Sequence, residues 1–209
     1  MKGSRKTEVP SEFMNWLGLS DGTENWKPTY EGMPGALKDV IRAAMFKEQR
    51  GLCVYCGRKL NLSRPGRSYH IEHFRPQHVY TKQDVDYSNL FLSCGQEDEK
   101  GLPAPTCGTV KAGWFDEDKH IYPEYPNCTS RFRFLLNGNI VAARKSDIAA
   151  EEMIARLGLD HPELKKDRED ILFDIDAGSV TTDEYWDGAT KTAESYAHMV
   201  FQYAGREMP

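Results

Sequence analysis

An α+β fold, a small β core flanked by helices at both ends, is predicted by three observations. Apolar residues recur at helical spacing after residue 35 and again towards the C-terminus. Short apolar runs broken by Gly, Pro and Asn lie between them. Four cysteines at wide intervals bracket the middle of the chain. The 209 residues suffice for one full core with a small appended unit.

Residues 1–35 read as an N-terminal arm. Pro10, Gly18, Gly22, Pro28, Gly32 and Pro34 interrupt it. One short helix fits Ser11–Leu17, with Ser11 as its cap, and Trp16, Trp26 and Tyr30 are its candidate anchors. Residues 36–125 read as the central unit. Leu37, Val40, Ile41, Ala44 and Met45 predict a helix over Ala36–Gln49, stopped by Gly51. Leu52–Leu62 reads as a Cys-x-x-Cys knuckle in a short hairpin, Arg67–Phe74 as a strand, and Tyr87–Cys94 as a second apolar segment. Gly95–Pro105 is polar and reads as an inserted loop. Residues 126–209 read as a hairpin followed by helices. Phe132–Leu135 and Ile140-Val141 flank Asn137-Gly138, the pair that a type I′ turn wants. Helices are predicted over Asp147–Leu157, Pro162–Ile175 and Thr182–Tyr203. The last carries Tyr185, Ala189, Ala193, Tyr196, Val200 and Tyr203 near one face.

Net charge is −5, against nucleic-acid binding on its own, but the charge is uneven. From Arg42 to Lys82 nine basic residues face only Glu48 and Glu72, giving +7 and leaving −12 on the rest. A local phosphate-binding face fits this pattern, and so does a solvated basic surface. Much of the negative charge sits between Asp147 and Tyr203, so those helices do not read as a DNA surface. No apolar run approaches the roughly 20 residues that span a bilayer. MKGSRKTEVP has no apolar stretch behind it, so it does not read as a secretory signal and a cytoplasmic protein is expected.

Cys53, Cys56, Cys94, Cys107 and Cys128 make an odd count, which argues against a disulfide framework and for metal or free thiols. Four thiolates close a tetrahedral zinc site, and Cys53-Val-Tyr-Cys56 supplies two of them from one turn. Cys128 falls outside that pattern and reads as a small core or free cysteine. Between the pairs lies Tyr69-His70-Ile71-Glu72-His73-Phe74-Arg75-Pro76. On a strand, His70 and Glu72 share one side. A carboxylate is a hard ligand for Mg²⁺ or a similar divalent cation, and an imidazole titrating near neutrality can take a proton from water. Phosphodiester cleavage needs both. Asn89, sixteen residues on, is a candidate to orient the imidazole. Lys111 and Arg75 are candidate phosphate contacts, or salt-bridge partners of nearby acids. Tyr55, Tyr69, Phe74 and Tyr80 could stack on bases or fill the core.

The order of these pieces resembles the HNH, or ββα-metal, nuclease motif. The matching segments are Cys53-Val-Tyr-Cys56, Ile71-Glu72-His73-Phe74-Arg75-Pro76, Tyr87-Ser-Asn89-Leu90, Cys94 and Cys107-Gly-Thr-Val-Lys111, within the 60 residues Leu52–Lys111. More narrowly, the segments around Cys53 and Glu72 resemble the PtuB-type HNH proteins of Septu antiphage systems, some encoded beside retrons. The resemblance implies a zinc-stapled ββα-metal core with flanking helices. It implies His73 as general base, Glu72 as metal ligand, Asn89 holding the catalytic loop and the His73 ring, and structural zinc at the four cysteines. It also implies an ABC/SMC-like ATPase partner and, for some relatives, a retron complex. This chain has no Gly-x-x-x-x-Gly-Lys-Ser/Thr of its own. One departure stands out: many HNH enzymes carry Asn or His directly after the last cysteine as a further metal ligand, and here that residue is Gly108. Waters, His70, Asp116 or His120 remain to complete the site, His70 being best placed by strand parity.

The expectation is therefore a nuclease acting on DNA in preference to RNA. The rival expectations are a non-catalytic zinc-stabilised binding module and a thiol redox protein using Cys53 and Cys56.

Overall fold

The computed structural model describes residues 1–20, 27–64, 68–95 and 105–209. Trp26, Arg67 and nearly all of the expected inserted loop lie outside them. Among the described residues, helices and three small two-stranded antiparallel sheets make an α+β architecture. Among the described residues no helix is long and apolar enough to cross a membrane.

The arm begins with α1 (Ser11–Leu17), capped by Pro10 rather than Ser11, whose hydroxyl bonds Glu12 instead. The next helix, α2 (Gly35–Glu48), buries Leu37, Ile41 and Met45 on one face. Gly51, at φ +77°, turns the chain away from it, a conformation that glycine adopts freely. The knuckle follows, closed by Cys53 N–H on the Arg58 carbonyl at 2.8 Å and Leu60 N–H on the Gly51 carbonyl at 2.8 Å.

Strand β1 (Tyr69–His73) pairs with β2 (Leu90–Cys94), placing Glu72 opposite Phe91 and His73 opposite Leu90. Leu90, Phe91 and Leu92 are fully buried, which fixes this register because a one-residue slip would turn Glu72 to the wrong face. Gln49 clamps knuckle to strand. Its buried amide donates to the Leu52 and Leu92 carbonyls, each at 2.8 Å, and accepts Leu92 N–H at 2.7 Å. The five-residue helix α3 (Cys107–Lys111) packs beside β2.

The second hairpin, β3 (Phe132–Phe134) and β4 (Ile140–Ala142), forms as expected, but its turn differs. Gly138 N–H bonds the Leu135 carbonyl, and Gly138 alone has positive φ, so the loop is a type I turn followed by a left-handed glycine. A Cβ at Gly138 would run into the Lys165 carbonyl, so the glycine also admits the neighbouring helix. Helix α4 (Ile148–Arg156) is capped by the Asp147 carboxylate on Ala150 N–H, and α5 (Pro162–Asp176) begins with proline at its first position.

The long helix expected over Thr182–Tyr203 does not form. A 3-10 turn (Thr182–Tyr185), a short hairpin of β5 (Trp186–Asp187) and β6 (Thr192–Ala193), and α6 (Ala197–Tyr203) replace it. The reason lies in Asp187-Gly188: the Asp187 carboxylate accepts Ala189 N–H and both the N–H and hydroxyl of Thr190, a local turn that outcompetes helical bonding. One apolar cluster runs through the molecule, joining Phe13 and Met45 to Phe91, Leu157 and Val200.

Part of the expected basic stretch is paired with acids inside the fold. Arg58 donates twice to Asp167, at 2.8 and 3.0 Å, Lys59 pairs with Glu194, and Arg42 with Asp39.

Candidate functional site

The four predicted cysteines come together. The Sγ atoms of Cys53, Cys56, Cys94 and Cys107 all lie within 4.8 Å of one another. A tetrahedral zinc site, with Zn–S of about 2.3 Å, needs sulfurs about 3.8 Å apart. Cys56 and Cys94 stand at 3.6 Å. Backbone amides already point at the sulfurs, Cys94 N–H to Cys53 at 3.3 Å and Arg58 N–H to Cys56 at 3.4 Å, as thiolates would require. The residues fit the ion. Three chain segments meet there: the knuckle, the end of β2 and the start of α3. Cys107 itself sits at φ +60°, and its N–H bonds the Leu157 carbonyl at 2.7 Å, fastening α3 to the C-terminal region. Cys128 is buried apart from the cluster.

Glu72 and His70 project from the same side of β1, as strand parity requires. Glu72 is buried, and its two oxygens have separate surroundings. Oε1 accepts from the Tyr55 hydroxyl at 3.1 Å and pairs with the Lys111 ammonium at 2.8 Å. Oε2 faces His70 Nε2 at 3.4 Å. Burial pushes the Glu72 carboxyl upward, but His70 and Lys111 overcome it and hold the group below the ordinary carboxylate range. Among the described residues His70 Nδ1 is buried with no hydrogen-bond partner.

Gly108 accounts for the departure noted in the motif. A Cβ there would lie 2.5 Å from Glu72 Oε2 and 2.6 Å from His70 Nε2. The His70 ring and the carboxylate occupy the space that a side chain at 108 would need. The two donor atoms are spaced as neighbouring ligands of one small cation would be, allowing for bonds of about 2.0–2.2 Å. An oxygen and an imidazole nitrogen suit a divalent ion of that kind.

His73 is the last residue of β1 and is partly buried. Its Nε2 lies 2.9 Å from the Asp84 carbonyl. A carbonyl only accepts, so Nε2 carries the proton and Nδ1 keeps a lone pair. The Tyr30 ring meets the imidazole edge-on at 4.5 Å, and Tyr30 N–H bonds the Asp84 carboxylate at 3.1 Å. Burial pushes the His73 pKa below its ordinary value, with the Asp84 carbonyl acting the other way.

One expected contact needs correcting, and of the two roles open to Lys111 the salt bridge is the one formed. Asn89 does not hold the His73 ring. Its amide accepts Arg75 N–H at 2.7 Å and donates to the carbonyls of Arg75 (2.9 Å) and Gln83 (3.1 Å), so both N–H groups are committed to the loop after β1. That loop carries Asp84, and Asn89 therefore acts on His73 at one remove. Lys111 is not a phosphate contact: the residue is 2% exposed, its ammonium bonded to Glu72 and to the His73 carbonyl at 3.1 Å. Burial of so strong a charge demands a counter-charge, and Glu72 is the one within reach. Arg75 stays partly open, stacked on Phe115 and 3.8 Å from Glu117. Asp116 and His120 bond to each other's loop, with His120 Nδ1 2.7 Å from the Asp116 carbonyl.

Tyr55, Asp84 and Ser93 carry roles that sequence reasoning does not assign. Tyr55 sits between the knuckle cysteines, a position that could have flagged it. Asp84 orients His73 through its backbone, which no residue type advertises. Ser93 accepts Gly108 N–H at 3.0 Å, joining β2 to α3, and looks like any strand serine.

Two strands and a short helix, closing on four thiols that could hold a metal, define a cysteine-stapled α+β protein. No family model matches the chain. A protein of Vibrio cholerae serotype O1 biovar El Tor, named "Retron Vc95 putative HNH endonuclease", is 31% identical over 167 residues, covering 77% of this chain and 77% of that protein. At that identity and coverage the chain belongs to the HNH endonuclease family, and a nuclease is the class of enzyme it represents.

Proposed function

We propose that this chain is a divalent-metal-dependent endonuclease that hydrolyses phosphodiester bonds in nucleic acid, DNA before RNA, stapled by zinc at its four cysteines. The observation that carries the reading is the meeting of Glu72 Oε2 and His70 Nε2 at 3.4 Å over Gly108, in a strand whose next residue, His73, has its Nε2 held by the Asp84 carbonyl and Nδ1 as the remaining acceptor. A Mg²⁺ or similar ion bound there would polarise a phosphate oxygen and take up charge on the leaving oxygen. His73 Nδ1 receives the proton of the attacking water, while Nε2–H stays on the Asp84 carbonyl and keeps the ring aimed. Lys111 holds Glu72 ionised. Arg75, at the rim, is the candidate contact for a flanking phosphate. Four converging thiols, rather than an isolated Cys53–Cys56 pair, favour a metal staple over redox chemistry.

The test is cleavage of plasmid DNA and of tRNA with and without added Mg²⁺, by wild type and by His73→Ala. Mg²⁺-dependent cleavage that disappears in the variant, at unchanged zinc content, is expected. Undiminished cleavage by folded His73→Ala would overturn His73 as the base, and nucleic-acid binding by the wild type without cleavage would leave a zinc-stabilised binding module as the better description.

The same proposal places the protein in a retron-associated antiphage system with an ATPase as a second chain. The name of the Vibrio relative supports the retron part, and the motif resemblance supports the ATPase. Co-purification from its host of an ATPase subunit and a structured RNA is the expected result.

A further inference from the structure

Glu72 divides its work between two oxygens. Oε2 is turned to His70 and the space over Gly108. Oε1 is turned away and held by Tyr55 and Lys111. A carboxylate so divided cannot rotate about its Cγ–Cδ bond without breaking both bonds at Oε1. Tyr55 is fully buried. Its hydroxyl lies 3.1 Å from a carboxylate oxygen, which only accepts, so the phenol donates. Its ring cannot drift either. Tyr55 lies between Cys53 and Cys56, and the backbone on both sides is bonded: Val54 N–H to the Leu92 carbonyl at 3.0 Å, and the Tyr55 carbonyl to Lys2 N–H at 2.9 Å.

We infer that Tyr55 is a positioning residue for the divalent cation. It fixes Glu72 so that Oε2, and not Oε1, faces His70, and it delivers the rigidity of the cysteine knuckle to that carboxylate. The inference rests on the cation reading of Glu72 and His70. The knuckle thereby gains a second role. Besides closing a zinc site, the turn Cys53–Cys56 carries the hydroxyl that aims the cation's ligand. Partners of this kind, which orient a ligand without touching the ion, are worth about 10–100-fold in metal affinity. Lys111 shares Oε1, but its charge also repels a nearby cation, so its removal mixes two opposed effects. Tyr55→Phe removes one neutral hydroxyl and leaves the ring packed.

The experiment is a titration of the zinc-loaded protein with Mn²⁺, reading free Mn²⁺ by its electron paramagnetic resonance signal, for wild type, Tyr55→Phe and Glu72→Gln. Zinc content and Tm are measured on each. Wild type is expected to bind one Mn²⁺ that Glu72→Gln loses. Tyr55→Phe is expected to bind it about tenfold more weakly, with zinc stoichiometry unchanged. A merely structural tyrosine would lower Tm without moving the Mn²⁺ dissociation constant. Wild-type Mn²⁺ affinity in Tyr55→Phe, with Glu72→Gln impaired, would overturn the role of Tyr55 and leave the cation site standing. Equal binding by wild type and Glu72→Gln would overturn the cation reading, and the role of Tyr55 with it.

Discussion

Helix α3 joins two clusters of polar side chains, the thiols at Cys107 and the carboxylate at Lys111, and the two are built in opposite ways. The thiol cluster holds four equivalent donors from three chain segments. Its sulfurs accept backbone amides but, among the described residues, no hydrogen bond from a cationic side chain, so a metal is what would balance the charge of four thiolates there. Glu72 is satisfied before any metal arrives, by Tyr55 and by the ammonium of Lys111. On the proposed reading one metal is part of the fold, and the other is a reagent that visits a site already formed.

The sharpest way to break that contrast is to remove zinc. A structural zinc contributes on the order of 10 kcal/mol or more to folding. Cys107→Ser should lose the ion, its circular-dichroism signal and its melting transition together. Withholding Mg²⁺ from the zinc-loaded protein should leave Tm nearly unmoved. A cooperative apo-protein melting near the wild-type temperature would refute the distinction.

His73→Ala comes next in size. General-base catalysis contributes roughly 10²–10⁴-fold in rate. The ring touches Tyr30 and one carbonyl, so the fold should bear its loss with a modest fall in Tm while single-turnover cleavage drops by that factor. The reagent side of the molecule would then fail with the scaffold side intact.

Glu72→Ala tests the claim that the carboxylate cluster is self-sufficient. It leaves the Lys111 ammonium buried with only the His73 carbonyl, a loss of about 3–5 kcal/mol for a broken buried pair. Adding Lys111→Met should recover much of that loss, because a hydrophobic pair of similar volume tolerates burial. Urea melts of the two single variants and the double variant measure it. Additive losses would mean that the pair is not coupled.

The contrast also explains what is legible in the sequence. Cysteines have few uses, so Cys53, Cys56, Cys94 and Cys107 declare themselves from Cys53 through to Cys107 despite the wide gaps between them. Period two on Tyr69–His73 places His70 beside Glu72, and the buried trio Leu90–Leu92 locates its partner strand. The region Thr182–Tyr203 misleads because tyrosines and alanines at 3/4 spacing look the same whether or not Asp187-Gly188 turns between them. The pairing of Arg58 and Lys59 is not legible in the basic stretch because their acids, Asp167 and Glu194, lie far along the chain, beyond the second hairpin. Asn89 holds the loop as expected but not the His73 ring, and Lys111 takes the salt-bridge alternative rather than the phosphate contact, since which atom a side chain reaches depends on the loop between them.

Gly108 offers the finest test, because there absence of a side chain makes room for the reagent site. Gly108→Ala places a methyl 2.5 Å from Glu72 Oε2 and 2.6 Å from His70 Nε2, with the start of α3 fixed by Cys107 and Ser93. Overpacking of this order costs about 1–3 kcal/mol in stability. The helix cannot retreat, so the carboxylate and the ring must give way, and Mg²⁺-dependent cleavage should fall further than stability does. His70→Ala alone removes a ligand and should also weaken cleavage. The pair His70→Ala with Gly108→Asn vacates the ring's space and returns a donor from the helix side. It should cleave better than either single variant. If the double variant is as poor as the product of the two singles, then His70 and Gly108 do not share one ligand position, and the departure of this chain from the common motif has another cause.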